Sequence, residues 1–221
     1  MNDDTGRLKT IRRLLETALD GEEEYLYQGE MSEYKRLSAD DAIAELDFLF
    51  RKSPPTLAEI DFCVEALSVP ERVRSGRSKR FLIRLGDRSR PFLEAFSRSQ
   101  EPRLRIFALE TGGVSVAGSK LYGGVEMERR LLEDANEDVR LAAVESVRWT
   151  LSQNLDYLNR ALENESENPI VELFRRFLTL LKDTSPKVRA AIAEAIESFT
   201  SQAGREVLNG IIERAKDAKN L

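Results

Sequence analysis

Hydrophobic residues along this chain recur at intervals of three and four, the spacing at which side chains share one face of an α-helix. In the stretch DAIAELDFLF, for example, Ile43, Leu46, Leu49 and Phe50 fall at this spacing. Alternation of apolar and polar residues, which would indicate β-strands, is limited to the short sequence VSV at 114–116. The pattern therefore predicts an all-α protein.

Helix start signals recur at regular places in this pattern. Ser38 with Asp41, and Thr56 with Glu59, have the spacing of a capping box. The pairs at 168–169 and 185–186 each offer an N-cap residue followed by proline. Together these signals predict about 10 to 12 helices, near residues 5–19, 39–52, 56–68, 71–85, 89–98, 102–111, 125–134, 137–152, 154–163, 169–182, 186–200 and 204–218.

The chain also repeats itself. Residues 131–147, LLEDANEDVRLAAVESV, align with residues 180–196, LLKDTSPKVRAAIAEAI, at an offset of 49, and FSRSQEPRLRIFALE gives a weaker copy upstream at an offset of 35. In each copy a polar turn is followed by a helix that opens with an apolar residue and an arginine, namely Arg105, Arg140 or Arg189. A helix hairpin of this kind has one face that only a neighbouring hairpin can bury, so the copies are expected to stack.

The pattern D-x-x-x-x-V-R at Asp134–Arg140 and Asp183–Arg189 resembles the HEAT-repeat family. The resemblance covers about residues 90–215 and implies an α-solenoid of stacked antiparallel helix pairs, with degenerate repeats. It also implies that these aspartates and arginines bridge neighbouring repeats. We therefore predict a single α-solenoid domain over residues 1–221, with acidic N-terminal helices at 1–70, a basic repeat region at 71–110, a glycine-rich loop at 111–124 and the best-matching repeats at 125–221.

The composition excludes several kinds of catalytic site. The chain has no histidine and one cysteine, which removes Ser-His-Asp and Cys-His catalysis, histidine zinc sites and an intramolecular disulfide. Cys63 shares a helical face with Ile60, Val64 and Leu67, so we expect a core residue there instead of a reactive thiol. The sequence predicts no catalytic residues, no cofactor, no metal site and no enzymatic activity.

The glycine-rich stretch TGGVSVAGSKLYGG approaches a phosphate-binding loop. Gly113 and Gly118 have the spacing of that motif, but Ser119 and Lys120 stand in exchanged order, and a helical pattern precedes the loop where a strand would be needed. We predict no nucleotide site. The stretch is interpreted as a contact element beside the basic region, with Lys120 and Tyr122 at its exit.

Charge is unevenly distributed along the chain. The formal net charge is −5, yet residues 71–105 hold 11 Lys/Arg against 4 Asp/Glu, while residues 1–70 hold 8 against 16 and residues 106–221 hold 15 against 19. Such a block predicts a basic contact surface. Its alternative is a set of cations that pair with the acidic N-terminal helices or stay solvated. The candidate contact residues are Arg72, Arg74, Arg77, Lys79, Arg80, Arg84, Arg88, Arg90, Arg105, Lys120 and Tyr122.

These features predict a scaffold or adaptor that binds a protein partner with an acidic surface. The alternative is a nucleic-acid-binding or DNA-processing protein of HEAT-like type, similar to alkylpurine DNA glycosylases, which use aromatic residues in a basic groove; Trp149 is the single tryptophan here. A third alternative is a homo-oligomer in which acidic and basic regions meet. The N-terminus lacks a secretory signal and no apolar run approaches the length of a membrane span, so we expect a cytoplasmic protein with no membrane partner.

Overall fold

The computed structural model describes residues 4–20, 24–27, 34–74, 76–115, 124–163, 168–203 and 208–213. Residues 208–213 form a helical segment within the region predicted as helix at 204–218. The predicted all-helical architecture is confirmed. The α-helices of the described chain are α1 (Asp4–Asp20), α2 (Ala39–Lys52), α3 (Leu57–Leu67), α4 (Pro70–Arg74), α5 (Arg77–Leu85), α6 (Arg90–Ser97), α7 (Pro102–Ser115), α8 (Gly124–Leu131), α9 (Glu137–Ser152), α10 (Leu155–Glu163), α11 (Pro169–Thr179) and α12 (Pro186–Ala203).

One short hairpin departs from the helical pattern. Strands β1 (Glu24–Tyr27) and β2 (Tyr34–Leu37) pair antiparallel, with Tyr25 opposite Arg36 and Tyr27 opposite Tyr34. The spacing of apolar and polar residues does not predict these strands. Aromatic residues favour strands, and the tyrosines of EYLY and YKRL were the available signal.

The chain divides into two compact units, Met1–Phe96 and Ser97–Leu221, which we describe separately. The single-domain organisation stays a prediction. In the first unit α1 packs against α2, α3 and α5. Both predicted capping boxes are formed, at Ser38 and at Thr56. Ring contact between Phe50 of α2 and Phe92 of α6, with centroids 5.6 Å apart, ties α6 to the same core.

The helix predicted at 71–85 is broken in two by a glycine. Gly76 has φ +70°, a conformation that strongly favours glycine and ends the run begun by α4. Directly after it, the buried Ser78 hydroxyl donates to the Leu67 carbonyl at 2.7 Å and fixes the start of α5 against the end of α3. As predicted for this amphipathic segment, α5 buries its apolar side chains, Phe81, Leu82 and Leu85.

The second unit is built of two rows of helices. In one row α7 packs on α9 and α9 packs on α12; in the other α8 packs on α11. This arrangement of stacked helix pairs is the one that the repeats predicted. The long interval between the second and third copies holds the expected extra helix, α10.

The end of α7 lies later than predicted. The helix continues to Ser115, so residues 111–115 are not part of a loop, and Gly113 of the apparent phosphate motif is helical. Gly112 is needed because α8 passes close by: a Cβ atom there would lie 2.9 Å from Cε of Met127. The remaining loop residues with side chains of interest, Lys120 and Tyr122, lie outside the described residues.

Bidentate Arg–Asp ion pairs join the helices of the α7–α9–α12 row. Arg105 of α7 donates from Nε and Nη2 to the two carboxylate oxygens of Asp134 at 2.7 and 2.8 Å. Arg140 of α9 makes the same bidentate contact with Asp183, at 2.9 Å for both bonds. We call these two contacts the Arg–Asp ladder. The bridging role that the HEAT resemblance implied is therefore confirmed for Asp134, Arg140 and Asp183, whereas Arg189 reaches no carboxylate among the described residues.

Each aspartate of the ladder also organises its own turn. Oδ1 of Asp134 accepts the backbone N–H of Asn136, and Oδ1 of Asp183 accepts that of Ser185, both at 2.8 Å. The hydrogen bonds from Arg140 lead the causes that hold the pKa of Asp183 below its ordinary value, and the N–H of Ser185 adds to them. The side chain of Asp183 is 7% exposed and that of Arg140 is 12% exposed, so water screens this pair little.

Replacing one partner of this rung should destabilise the second unit. We expect Asp183→Asn to lower the free energy of unfolding at pH 7 by about 3 kcal/mol, because it leaves the Arg140 guanidinium partly buried without a counter-charge. Since the folded-state pKa of Asp183 is depressed, the natural protein should lose this contribution as the pH falls through that folded value, below 3.8. Urea unfolding at pH 7 and under acid conditions measures both effects.

The matched control is Asp138→Asn, which changes an exposed aspartate in the first turn of α9. Its cost should stay below about 1 kcal/mol, the size of a surface charge–dipole interaction. Equal losses of unfolding free energy in the two variants would show that the Arg140–Asp183 ion pair stabilises the unit no more than a surface charge does.

Candidate functional site

The predicted basic residues of the first unit lie on consecutive short elements. Arg72 and Arg74 belong to α4, the next four cations to α5, Arg88 to the 3-10 turn Gly86–Ser89, and Arg90 to the start of α6. Most of these side chains are at least half-exposed. The break at Gly76 and the turn at Gly86 thus divide the basic stretch into three short segments.

Several of these cations are engaged within the first unit. Arg84 forms an ion pair with Asp40 at the start of α2, and the hydrogen bond from Arg84 lowers the pKa of that carboxyl. Arg88 lies 4.0 Å from Asp47, and Arg74 contacts Glu71 at 2.9 Å. Arg72 donates to the Ala66 carbonyl at 2.9 Å. Part of the basic block is therefore neutralised internally, which was the alternative that the sequence left open.

The remaining cations differ from these. Within the part of the first unit that the structure describes, Lys79, Arg80 and Arg90 form no ion pair. Arg80 and Arg90 are exposed and Lys79 is half-buried.

Arg80 lines a small pocket. Three arginines of α5, spaced three and four residues apart so that they share one helix face, line it with the N-terminal end of α2 and the C-terminal end of α1. The cavity volume is about 260 Å³. Apolar side chains and cations surround the same space; its lining residues are Ala18, Leu19, Ala39, Ile43, Arg77, Arg80, Phe81 and Arg84.

Arg105 occupies a different setting from the other predicted contact residues. Its Nε and Nη2 bind Asp134, and its Nη1 donates to the carbonyl of Ser99 at 2.8 Å. The side chain is only 14% exposed. These three nitrogens donate to groups in its own turn and in the next one. Arg105 is therefore not part of the contact surface proposed below.

The helical row and its ladder match a known repeat. Residues 173–203, which contain most of α11, the turn with Asp183, and α12, match the family model of the HEAT repeat. This segment is similar to a HEAT repeat. A comparison with curated proteins finds no significant match to the chain. The HEAT repeat is a helical-repeat unit, in agreement with the stacking of α11 and α12 on the helices that precede them.

Buried ionisable groups are the other places where chemistry could occur. Cys63 is 1% exposed, and burial followed by the nearby charge of Glu59 raises the pKa of its thiol to about 12, so the predicted unreactive core cysteine is confirmed. The described residues contain no group of three or more His, Cys, Asp or Glu arranged to hold a metal ion. None of the described helices is long and apolar enough to cross a membrane.

Glu128 is a buried carboxyl that the sequence analysis did not identify. It lies on α8 and is 2% exposed. Its Oε1 accepts the hydroxyls of Ser146 at 2.6 Å and Thr150 at 2.9 Å, both on α9, while Oε2 has no hydrogen-bond partner among the described residues. Burial raises the pKa of Glu128, and the two hydroxyl hydrogen bonds only oppose that effect. Burial therefore favours the protonated form of this carboxyl, which joins α8 to α9.

This burial should make the stability of the protein depend on pH. An acid whose pKa is raised on folding binds a proton more tightly in the folded state, so the free energy of unfolding falls as the pH rises from 4.5 to the folded value. The slope contributed by one such group is at most about 1.4 kcal/mol per pH unit. We expect Glu128→Gln, which keeps the Oε1 acceptor, to remove this slope between pH 5 and pH 7 in urea unfolding.

Glu126→Gln on the same helix is the matched control. Glu126 is exposed and contacts Arg129 at 2.7 Å, which lowers its pKa, so its replacement should leave the fall between pH 5 and pH 7 in place. A slope that persists in Glu128→Gln would mean that another group causes it.

Proposed function

We propose that this protein is a non-enzymatic interaction module that binds an acidic segment of a protein partner at the basic pocket of the first unit. The observation that carries the proposal is the pocket itself, which Arg80 lines beside apolar side chains, with Arg77 and the Asp40-paired Arg84 on the same helix face. HEAT repeats generally act as protein-binding units, and the repeat at 173–203 supports this class of function.

The chemistry of the lining supports a carboxylate with apolar neighbours as the ligand. Guanidinium groups bind carboxylates through paired, charge-assisted hydrogen bonds. Leu19, Ile43 and Phe81 provide apolar surface beside them. An aspartate or glutamate followed or preceded by a leucine or isoleucine fits both features, because its charge meets the arginines while its neighbour covers the apolar surface.

The size of the pocket supports a side chain as the occupant. Sites for small molecules and cofactors usually have volumes of about 300–1,000 Å³ and enclose most of their ligand. The pocket here, at about 260 Å³, is smaller than this range. It suits one or two side chains presented by a larger partner.

The distribution of carboxylates disfavours nucleic acid as the partner. A phosphate backbone carries negative charge at every step, so it favours a continuous cationic surface. Here Asp40 and Asp47 lie against Arg84 and Arg88 and interrupt the positive charge. An acidic protein segment, with separated charges, avoids those positions more easily.

Arg80 is the residue whose replacement tests the proposal. We expect a fluorescein-labelled peptide with alternating Glu and Leu residues to bind the full chain more tightly than a peptide of equal charge with Glu and Gly. Arg80→Glu should weaken binding of the Glu-Leu peptide by about tenfold or more, because it reverses a charge in the lining of the pocket. Fluorescence anisotropy at 150 mM salt measures both affinities.

Two further variants make the result specific to the pocket. Arg103→Glu reverses a charge in the basic block but on α7, where Arg103 is exposed and paired with Glu101; it should leave the affinity unchanged. Ala39→Leu fills the pocket without changing any charge and should weaken binding as Arg80→Glu does. Equal weakening by Arg80→Glu and Arg103→Glu would contradict the proposal, because it would reveal unspecific charge attraction.

A 20-base-pair DNA duplex, titrated from low to moderate salt, decides between the two partner classes. Binding of the duplex that falls steeply with salt, together with no binding of either peptide, would replace the proposal by the nucleic-acid alternative. Failure of both probes to bind would also contradict it.

A further inference from the structure

The row of helices in the second unit ends with an arginine that has no carboxylate partner among the described residues. Arg189 holds the position in α12 that Arg105 holds in α7 and Arg140 holds in α9. Its Nη1 donates to the carbonyls of Asp183 and Thr184 at 2.6 and 3.1 Å, which anchors the side chain to its own turn as the other two are anchored. Its Nε and Nη2 are the atoms that bind an aspartate in each rung of the Arg–Asp ladder. In Arg189 these two nitrogens bind no aspartate of the described chain.

The surrounding face of α12 is also uncovered by the described residues. In α9 the equivalent face is covered by α12, and Val144 is fully buried there. At the same offset of 49, Ala193 of α12 is exposed, as is Ala190 beside it. Small side chains at these two positions allow another helix to approach α12 closely. The face thus continues, without a partner, the interface that α7 makes with α9 and α9 makes with α12.

We propose that this face of α12 binds the turn and following helix of another helical-repeat protein. An aspartate of that turn accepts hydrogen bonds from Arg189, as Asp183 does from Arg140. The guanidinium is already held by two carbonyls, so its free edge is oriented toward an incoming carboxylate. Bidentate binding of a carboxylate is what this geometry selects. The inference concerns a surface other than the basic pocket and does not depend on it.

A second copy of this chain does not provide the required turn. The position of Asp134 and Asp183 in the ladder is taken by Ser99 in the turn before α7, whose carbonyl receives the Arg105 hydrogen bond. Copies stacked head to tail would therefore place a serine opposite Arg189. Since neither the described residues nor a stacked second copy supplies this carboxylate, the proposed partner is a different protein.

A helical peptide with the sequence of residues 180–203 is the probe. It carries Asp183 and α12, and a hydrocarbon staple between positions 190 and 194 fixes the helix on the face opposite to the contact, which circular dichroism verifies. We expect saturable binding of the labelled peptide to the full chain by anisotropy. Arg189→Gln in the protein, or Asp183→Asn in the peptide, should each weaken binding by about tenfold, and the two changes together should weaken it little further.

The controls separate recognition from charge and from folding. Arg189→Lys keeps the charge without the bidentate edge and should lose most of the affinity, while Lys182→Gln, which removes an exposed neighbouring cation, should keep it. Arg80→Glu should also bind the peptide normally, so this test and that of the basic pocket fail independently. Circular dichroism melting confirms that each variant is folded.

Three results would overturn the proposal. The first is no saturable binding of the helical peptide, and the second is equal affinity for the natural protein and Arg189→Gln. The third is a loss of unfolding free energy in Asp217→Asn as large as in Asp183→Asn, which would mean that Arg189 finds its carboxylate within its own chain. Asp217 lies outside the described residues, 28 positions after Arg189.

Discussion

The bidentate contact between an arginine of one helix pair and an aspartate of the next fixes the arrangement of the second unit. Arg140 donates to the carbonyl of Asp134, six residues before it in its own turn, and to the carboxylate of Asp183 in the following turn. One side chain therefore holds two turns at a defined separation. This requires the aspartate and arginine to keep their spacing within each repeat. It does not require equal spacing between repeats, which explains why α10 is accommodated between the second and third copies.

The ladder contributes alignment, while burial of apolar side chains provides most of the driving force. Removing charges from water costs free energy that the ion pair and its hydrogen bonds only balance. The apolar side chains beneath it, such as Val139, Val147 and Val188, are fully buried and supply the favourable term. Glu128 shows the opposite solution in the same unit: a buried carboxyl without a cation, bonded to two hydroxyls of α9, for which the neutral form is favoured.

Much of this architecture could be predicted from local sequence, because capping, periodicity and the turn spacing act within a few residues. Such signals predict the capping boxes at Ser38 and Thr56, the buried face of α5 and the positions of the Arg–Asp ladder. The break at Gly76 and the extension of α7 to Ser115 do not. They depend on Ser78 reaching the end of α3 and on α8 passing close to Gly112, which are contacts between elements. The pocket could not be predicted for the same reason, since α1, α2 and α5 each supply part of its lining.

Arginine serves two purposes in this chain, and its surroundings decide which. In the Arg–Asp ladder, Arg105 and Arg140 each pair with an aspartate of the next turn, so their charges stabilise the fold. On α5 Arg84 pairs with Asp40, whereas Arg80 has no ion pair among the described residues and lines a pocket. Arg189 combines both conditions: it is anchored like a structural arginine, yet among the described residues it lacks the carboxylate that completes the rung. A count of charges in the sequence cannot separate these cases, because the difference lies in which turn stands opposite each arginine.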